Sequence, residues 1–288
     1  MITGKTKLLG LMGRPVSHSL SPAMHNAAFS EENLDFVYVA MDVDPDKLPD
    51  AVRGAAALGF RGFNLTMPHK EKIIPLLDEM DGAAKISGAV NTVVIESGKL
   101  RGHNTDGSGM AEACREAGAK VSGKTIVLLG AGGAASAISF ALQSEGASSL
   151  HIFNRSVDRA ESLAAKLEES GEGTEVRAHP LESLETSGIS PDILINTTSL
   201  GMKNDDPLPV PAAYLESLPE HATVADAVYL PGDRTSLLHA AGKLGLRTIN
   251  GQRMLLYQGV HAQKLWTGLE PNVEAMDAEL PGVGSGKL

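Results

Sequence analysis

Lys124-Thr125-Ile126-Val127-Leu128-Leu129-Gly130-Ala131-Gly132-Gly133-Ala134-Ala135 is the stretch from which the fold is read. Its near-continuous apolar run predicts a strand buried on both faces, as in a parallel sheet. The small and apolar residues that follow, as far as Leu142, predict a helix. Between them the glycines fit the pattern G-x-G-x-x-G/A, with Ala135 in the third position. The first glycine permits the tight turn, and the second lets a pyrophosphate approach the backbone. The small third residue lets helix and strand pack closely. A preceding strand and a following helix are the context this motif requires.

Downstream, Ser149-Leu150-His151-Ile152-Phe153 predicts the next strand, ending in Asn154-Arg155-Ser156. An NAD site usually carries an acidic residue here, roughly 20 residues past the glycines, to hold ribose hydroxyls. This chain has Asn154 and Arg155 instead, with Arg159 one helical turn on. Two guanidinium groups on one helix face suit a 2′-phosphate, which points to NADP. The plainer alternative pairs these arginines with Asp158 and Glu161. Asp192-Ile193-Leu194-Ile195 predicts a further strand, ending in Asn196-Thr197-Thr198-Ser199-Leu200-Gly201-Met202. Thr223-Val224-Ala225-Asp226-Ala227-Val228-Tyr229 predicts another, followed by Leu230-Pro231-Gly232. Strand ends in such a domain line the cofactor crevice, so Tyr229 either touches nicotinamide or substrate or packs. A helix over 235–242 and a last strand at Leu246-Arg247-Thr248-Ile249 complete this part.

Upstream, Lys7-Leu8-Leu9-Gly10-Leu11-Met12-Gly13 and Phe36-Val37-Tyr38-Val39-Ala40-Met41 predict strands. Helices are predicted over 23–33, 44–58 and 71–80, the last interrupted by Pro75. Strand alternating with helix is the pattern of a mostly parallel sheet. In Asn64-Leu65-Thr66-Met67-Pro68-His69-Lys70, Asn64 and Thr66 face one side and Phe63 and Leu65 the other. Lys70 is expected in a first helical turn beside that polar face. By itself the stretch is an ordinary strand-to-helix corner with a solvated lysine. Ser21-Pro22 reads as a helix N-cap with proline in the first turn. Ser19 and Ser21 also suit an anion such as a carboxylate, and both readings stand. Asn91, in Gly88-Ala89-Val90-Asn91-Thr92, and Asp106, in Asn104-Thr105-Asp106-Gly107, sit at element ends. Asp106 caps the helix predicted over 108–117 or influences a neighbouring lysine.

Asn250-Gly251 opens a helix predicted over 252–266, on whose apolar stripe Gln258 falls one turn after Met254. A glutamine on a packing face needs partners, from ligand hydroxyls or from backbone. The glycine-rich end from Pro281 is expected to be mobile.

The 288 residues suffice for one large or two medium domains. A formal net charge of −10 argues against a general nucleic-acid surface. The one cysteine, Cys114, allows no internal disulfide, and the cytosol is the simplest setting. No apolar run is long enough to span a bilayer, and no metal-ligand spacing extends from His18 and His25.

Together these residues resemble the shikimate dehydrogenases over nearly the whole chain. The likeness lies in Ser19-Leu20-Ser21-Pro22-Ala23-Met24-His25-Asn26, in Asn64 to Lys70, and in the Asn91 and Asp106 stretches. It continues through the glycine turn, Asn154-Arg155-Ser156 with Arg159, the Asn196 stretch, Asp226 with Tyr229 and Pro231, and Gly251 with Met254, Leu255 and Gln258. The resemblance implies two α/β domains: a substrate-binding, catalytic one over 1–106 and a Rossmann-like NADP domain over 107–249. It also implies a helical segment, 250–288, returning to the first domain. The implied reaction is reversible NADPH-dependent reduction of 3-dehydroshikimate to shikimate, by a monomer or homodimer. Ser19 and Ser21 are then expected to bind the substrate carboxylate. Asn64, Thr66, Asn91, Asp106, Tyr229 and Gln258 surround the rest of the substrate. Lys70, facing a cleft between the domains within reach of Asp106, carries the proton. Gly130, Ala131, Gly132, Gly133 and Ala134 hold the pyrophosphate. Asn154, Arg155, Ser156 and Arg159 lie on the 2′-phosphate side, and Ala227, Gly251 and Met254 toward the nicotinamide. Gly82 departs from the acidic residue some members carry. A quinate or dual-specificity dehydrogenase and a catalytically inactive ligand sensor are the alternatives.

Overall fold

Short strands with apolar residues on both sides demand a sheet covered on both faces, and two such sheets form. The computed structural model describes residues 2–171, 173–203, 206–230 and 232–282. The glycine-rich end beyond residue 282 and Pro231 lie outside the described residues. The chain divides into two compact units. One comprises Met1–Thr105 with Gln258–Leu280, the other Asp106–Tyr257 with Pro281–Leu288.

The first unit begins β1 (Lys7–Gly13), α1 (Ser21–Glu31), β2 (Phe36–Asp42), α2 (Leu48–Ala57) and β3 (Gly62–Leu65). It goes on through β4 (Glu79–Met80), α3 (Gly82–Ser87), β5 (Thr92–Glu96) and β6 (Lys99–His103). The sheet runs β2-β1-β3-β5-β6-β4, with β3–β5 and β5–β6 antiparallel and the other pairs parallel. Alternation sends Met12, Phe63, Leu65 and Val93 into one core, with Leu48 and Val52 of α2. Leu9, Leu11 and Val94 go into the other, with Phe29 of α1.

Two helix expectations are corrected here. Over 44–58, a 3-10 turn at Pro45–Lys47, capped by the Asp44 side chain, precedes α2. Over 71–80 there is no α-helix: hydrogen-bonded turns follow Lys70, with a 3-10 turn at Ile74–Leu76 and then β4. Pro75 offers no N–H, and its ring obstructs the carbonyl four residues back, so a segment this short cannot close a helix. α3 has no counterpart among the predicted helices. Asp81 caps it by accepting the Ala84 N–H at 2.7 Å, and Gly88 ends it at φ +62°.

The second unit holds α4 (Asp106–Glu116), β7 (Thr125–Leu129), α5 (Gly133–Ser144), β8 (Ser149–Asn154), α6 (Val157–Ser170) and β9 (Glu175–Pro180). Next come β10 (Ile193–Asn196), α7 (Ala212–Glu216), β11 (Thr223–Asp226), α8 (Ser236–Lys243) and β12 (Arg247–Ile249). Its sheet is wholly parallel, in the order β12-β11-β10-β7-β8-β9. The order reverses between β7 and β10, and ligands of open α/β sheets bind beyond strand ends at such a reversal.

The last elements are α9 (Gly251–Thr267) and α10 (Val273–Ala278). Ala262 and Trp266 of α9 join the first unit's core beside Leu9 and Phe29, so the last long helix does pack back on the first sheet. The Trp266 indole N–H donates to the Val93 carbonyl at 2.9 Å.

Candidate active site

In the first unit, polar side chains from four elements meet inside an apolar interior. Asn64 lies on β3 opposite Phe63 and Leu65 and is buried. Its Nδ2 donates to the Asn91 carbonyl at 3.0 Å and to Thr92 Oγ1 at 2.9 Å. Its Oδ1 accepts the Tyr38 hydroxyl at 2.7 Å. Asn91 stands just before β5. Its Oδ1 accepts the Thr105 N–H at 2.9 Å, and its Nδ2 donates to Thr105 Oγ1 at 3.0 Å and Gln258 Oε1 at 3.4 Å. Gln258 therefore has a side-chain partner within this network, a source other than the ligand hydroxyls or backbone the sequence suggested. Tyr38, Thr92 and Thr105 are members that sequence reasoning misses. The available signal is slight: a phenol in an apolar strand needs a polar partner when buried.

Ser21 is buried and stands as the first residue of α1. The capping expectation is corrected: Leu20 is the N-cap, with helical backbone angles, and makes no side-chain cap. Its carbonyl accepts the Met24 N–H at 3.1 Å. The Ser21 N–H donates to Ser19 Oγ at 3.3 Å. Burial pushes the Tyr38 phenol far above its ordinary pKa, so it remains a donor.

Thr66 is held by its N–H on the Met12 carbonyl at 3.0 Å. Its Cγ2 occupies the space beside Gly13, where a Cβ would lie only 2.2 Å away. Lys70 is half-buried and sits in a turn rather than in a helix. Its carbonyl accepts the Val90 N–H at 2.8 Å, fixing its backbone beside the residue that precedes Asn91. The preceding His69 is buried, with Nε2 2.9 Å from the Val43 carbonyl.

In the second unit, Gly130 has φ +108°, and a Cβ there would meet Thr197 Oγ1 at 2.7 Å. Its N–H donates to the Phe153 carbonyl at 2.8 Å. A Cβ on Gly132 would meet nothing within 4 Å, so that face of the turn is open. Gly132 caps α5 without any side-chain hydrogen bond. Free first-turn N–H groups with the helix dipole behind them suit a phosphate. Ala131, Gly133 and Ala134 complete the turn, and Ala135 is fully buried against the strand.

Beyond β8, Asn154 Nδ2 donates to the Ser156 carbonyl at 2.8 Å and shapes the turn. Arg155 and Arg159 are exposed, and among the described residues neither is ion-paired, with Asp158, Glu161 or any other acid. A cluster of unpaired guanidinium groups at this strand end fits a phosphate monoester.

At the ends of β10 and β11, Asn196 Nδ2 donates to Asp226 Oδ1 at 2.9 Å, and Thr235 donates to Asp226 Oδ2 at 2.6 Å. The Val228 N–H adds a third donor at 3.0 Å. Burial outweighs these donors and pushes the Asp226 carboxyl up to about 6. Ala227 and Gly251 come together here: a Gly251 Cβ would lie 2.7 Å from the Ala227 carbonyl oxygen. Tyr229 is half-buried, its phenol raised by burial, and Met254 is buried in α9. Asp106 is buried and opens α4, where Gly107 abuts the Ala137 backbone of α5. Among the described residues, no group of three or more His, Cys, Asp or Glu is arranged for a metal. None of the helices there is long and apolar enough to cross a membrane.

The model for the shikimate dehydrogenase substrate binding domain matches residues 11–93. That for shikimate / quinate 5-dehydrogenase matches 112–202, and that for the shikimate 5'-dehydrogenase C-terminal domain matches 251–280. A shikimate dehydrogenase (NADP(+)) from Rubrobacter xylanophilus is 52% identical over 284 residues, covering 98% of either chain. A solved shikimate dehydrogenase in complex with NADP+ is 45% identical with a TM-score of 0.85, covering 97% of this chain and 96% of that one. The shikimate 5-dehydrogenase of Thermus thermophilus, solved with NADP(H) and shikimate, is 36% identical with a TM-score of 0.84, covering 95% and 98%.

Proposed function

This chain belongs to the shikimate dehydrogenase family, and from that premise we infer that it reversibly reduces 3-dehydroshikimate to shikimate with NADPH. The reaction is a step of the shikimate pathway toward chorismate and the aromatic amino acids. The observation that carries the reading is the first unit's buried polar network, which links Tyr38, Asn64, Asn91 and Gln258. Convergent polar groups in an otherwise apolar interior are what a small polyhydroxylated acid needs for orientation.

Ser19 and Ser21 take the substrate carboxylate as hydroxyl donors. Asn64, Thr66, Asn91, Asp106, Tyr229 and Gln258 orient the ring and its hydroxyls. Bound NADPH supplies the hydride for the ketone carbon. Lys70 gives a proton to the carbonyl oxygen as it becomes an alcohol, and takes it back in the reverse direction. Asp106 shares the proton chemistry as its carboxylate component. The turn from Gly130 to Ala134 receives the pyrophosphate on uncapped N–H groups. Asn154, Arg155, Ser156 and Arg159 receive the 2′-phosphate, and Ala227, Gly251 and Met254 line the nicotinamide side. The enzyme works in the cytoplasm as a monomer or homodimer. Its lone cysteine, Cys114, is buried and needs no oxidising compartment.

Initial rates with shikimate and with quinate, each with NADP+ and NAD+, test the reading. Shikimate with NADP+ should be the preferred pair. Faster turnover of quinate would overturn the substrate, and no turnover with any pair would overturn the enzyme.

A further inference from the structure

Two loops of the second unit hang on one buried carboxylate that the proposed chemistry does not use. Asp226 ends β11 and is 0% exposed. Its Oδ1 accepts two N–H groups, the Asn196 side-chain amide from the end of β10 at 2.9 Å and the Val228 backbone at 3.0 Å. Its Oδ2 accepts the Thr235 hydroxyl at 2.6 Å, and Thr235 in turn caps α8 by accepting the Leu238 N–H. Backbone groups fix the direction of the Asn196 bond. The Thr198 N–H can only donate, so its partner at 3.0 Å is the Asn196 oxygen. The Asn196 nitrogen is left to donate to Asp226 and to the Leu200 carbonyl, 3.1 Å away. One carboxylate therefore ties residues 197–200, after β10, to residues 227–228, after β11. Both loops are also packed on their far sides. A Cβ on Gly130 would meet Thr197 Oγ1 at 2.7 Å, and one on Gly251 would meet the Val228 and Ala227 carbonyl oxygens at 2.6 and 2.7 Å.

Strand order decides which part of a dinucleotide these loops meet. The sheet runs β12-β11-β10-β7-β8-β9. A cofactor with its pyrophosphate on the turn after β7 and its 2′-phosphate on the arginines after β8 has its other half over the ends of β10 and β11. We propose that Asp226 is a positioning residue for the nicotinamide end of the cofactor, holding the two loops that receive it in one arrangement. The proposal deepens the NADP reading and rests on it. Asp226 acts by accepting hydrogen bonds, and an amide oxygen in the place of Oδ1 takes the same two N–H groups. With the loops released, Arg155, Arg159 and the glycine turn still hold the adenosine half. The nicotinamide loses its alignment, to which hydride transfer is steeply sensitive.

Asp226→Ala removes both acceptor oxygens. Its single-turnover rate of hydride transfer from shikimate to NADP+ should fall about ten- to a hundredfold. Its Kd for adenosine 2′,5′-bisphosphate, a cofactor fragment without nicotinamide, should stay within about twofold of wild type, because that end is held elsewhere. Asp226→Asn keeps the oxygen that joins the loops and should recover most of the lost rate. A general loosening of the unit would weaken the fragment as much as it slows hydride transfer, and that result overturns the proposal. So does an unchanged rate in Asp226→Ala, or an Asp226→Asn enzyme as slow as Asp226→Ala. Should Asp226→Ala not fold, Thr235→Val frees one carboxylate oxygen and keeps the side-chain shape. The rate should then fall about two- to tenfold, the worth of one hydrogen bond, with fragment binding unchanged. An unchanged rate, or equal losses in rate and fragment binding, overturns the proposal. Wild-type protein that neither binds the fragment nor turns over shikimate marks instead the failure of the functional reading.

Discussion

Lys70 hangs from a turn whose carbonyl is tied to Val90, so its side chain starts from a fixed backbone point. Replacing it with alanine should cut turnover by roughly 10²–10⁴-fold, the usual worth of a positioned acid–base group, with a much smaller effect on substrate binding. Steady-state kinetics of Lys70→Ala check this, and weakened binding with unchanged turnover refutes the role. Arg155→Ala and Arg159→Ala remove guanidinium groups that have no acid to pair with among the described residues. Each should raise the KM for NADP+ by about ten- to a hundredfold, the worth of a charge-assisted hydrogen bond, and leave that for NAD+ unchanged. Much of the candidate site could be read at this scale, because Asn64, Asn91, Gln258 and Arg155 are anomalies against an apolar or acidic expectation. Tyr38 and Thr105 could not. A tyrosine in an apolar strand announces neither its partner nor the direction in which its proton points.

Elements were legible where a period ran long enough to count. β7, β8 and the helix after the glycine turn follow from continuous apolar runs and small residues. α3, of 6 residues, and β4, of 2, are too short to carry a period, and the turns after Lys70 replaced an expected helix because Pro75 interrupts it. Close packing of elements sets the next prediction. β3 approaches α9 so tightly that a Cβ on Gly62 would lie 2.2 Å from the Val93 oxygen and 2.3 Å from the Trp266 indole nitrogen. Gly62→Ala must break the Trp266–Val93 hydrogen bond or displace the helix. It should destabilise the protein by about 1–3 kcal/mol, as overpacked cores do, measured by urea unfolding. The glycine's necessity is invisible in the sequence because the atoms that crowd it come from Val93 and Trp266, far along the chain.

For the whole molecule, two buried titratable groups, one in each unit, oppose one another. Burial lowers His25 to about 4, from an ordinary value of 6.5. The unfolded chain therefore binds a proton that the folded chain refuses, and stability from this group is lost as pH falls from about 6.5 to about 4. Burial raises Asp226 to about 6, from 3.8. Here the folded chain binds the extra proton, so stability is greatest below about 4 and is lost as pH rises to about 6. Each contributes on the order of 3 kcal/mol, so between these limits the two slopes nearly cancel. Asp226→Asn is nearly isosteric and removes the slope that opposes His25. Its stability to urea should climb from pH 4 to 6, whereas that of the wild type changes little; parallel curves would refute the assignment. The sequence by itself determined the two α/β halves, the glycine turn and the arginine pair proposed for a 2′-phosphate, which follow from local periodicity and from residues a few positions apart. Lys70 stood out only through the resemblance of the whole chain to a family. Tertiary structure decided that Gln258 and Trp266 of the last long helix complete the first unit, that Tyr38 donates to Asn64, and that His25 and Asp226 titrate away from their ordinary ranges. Each of these depends on contacts between residues distant in the chain, which periodicity does not record, and on the loss of solvent that only a closed core imposes.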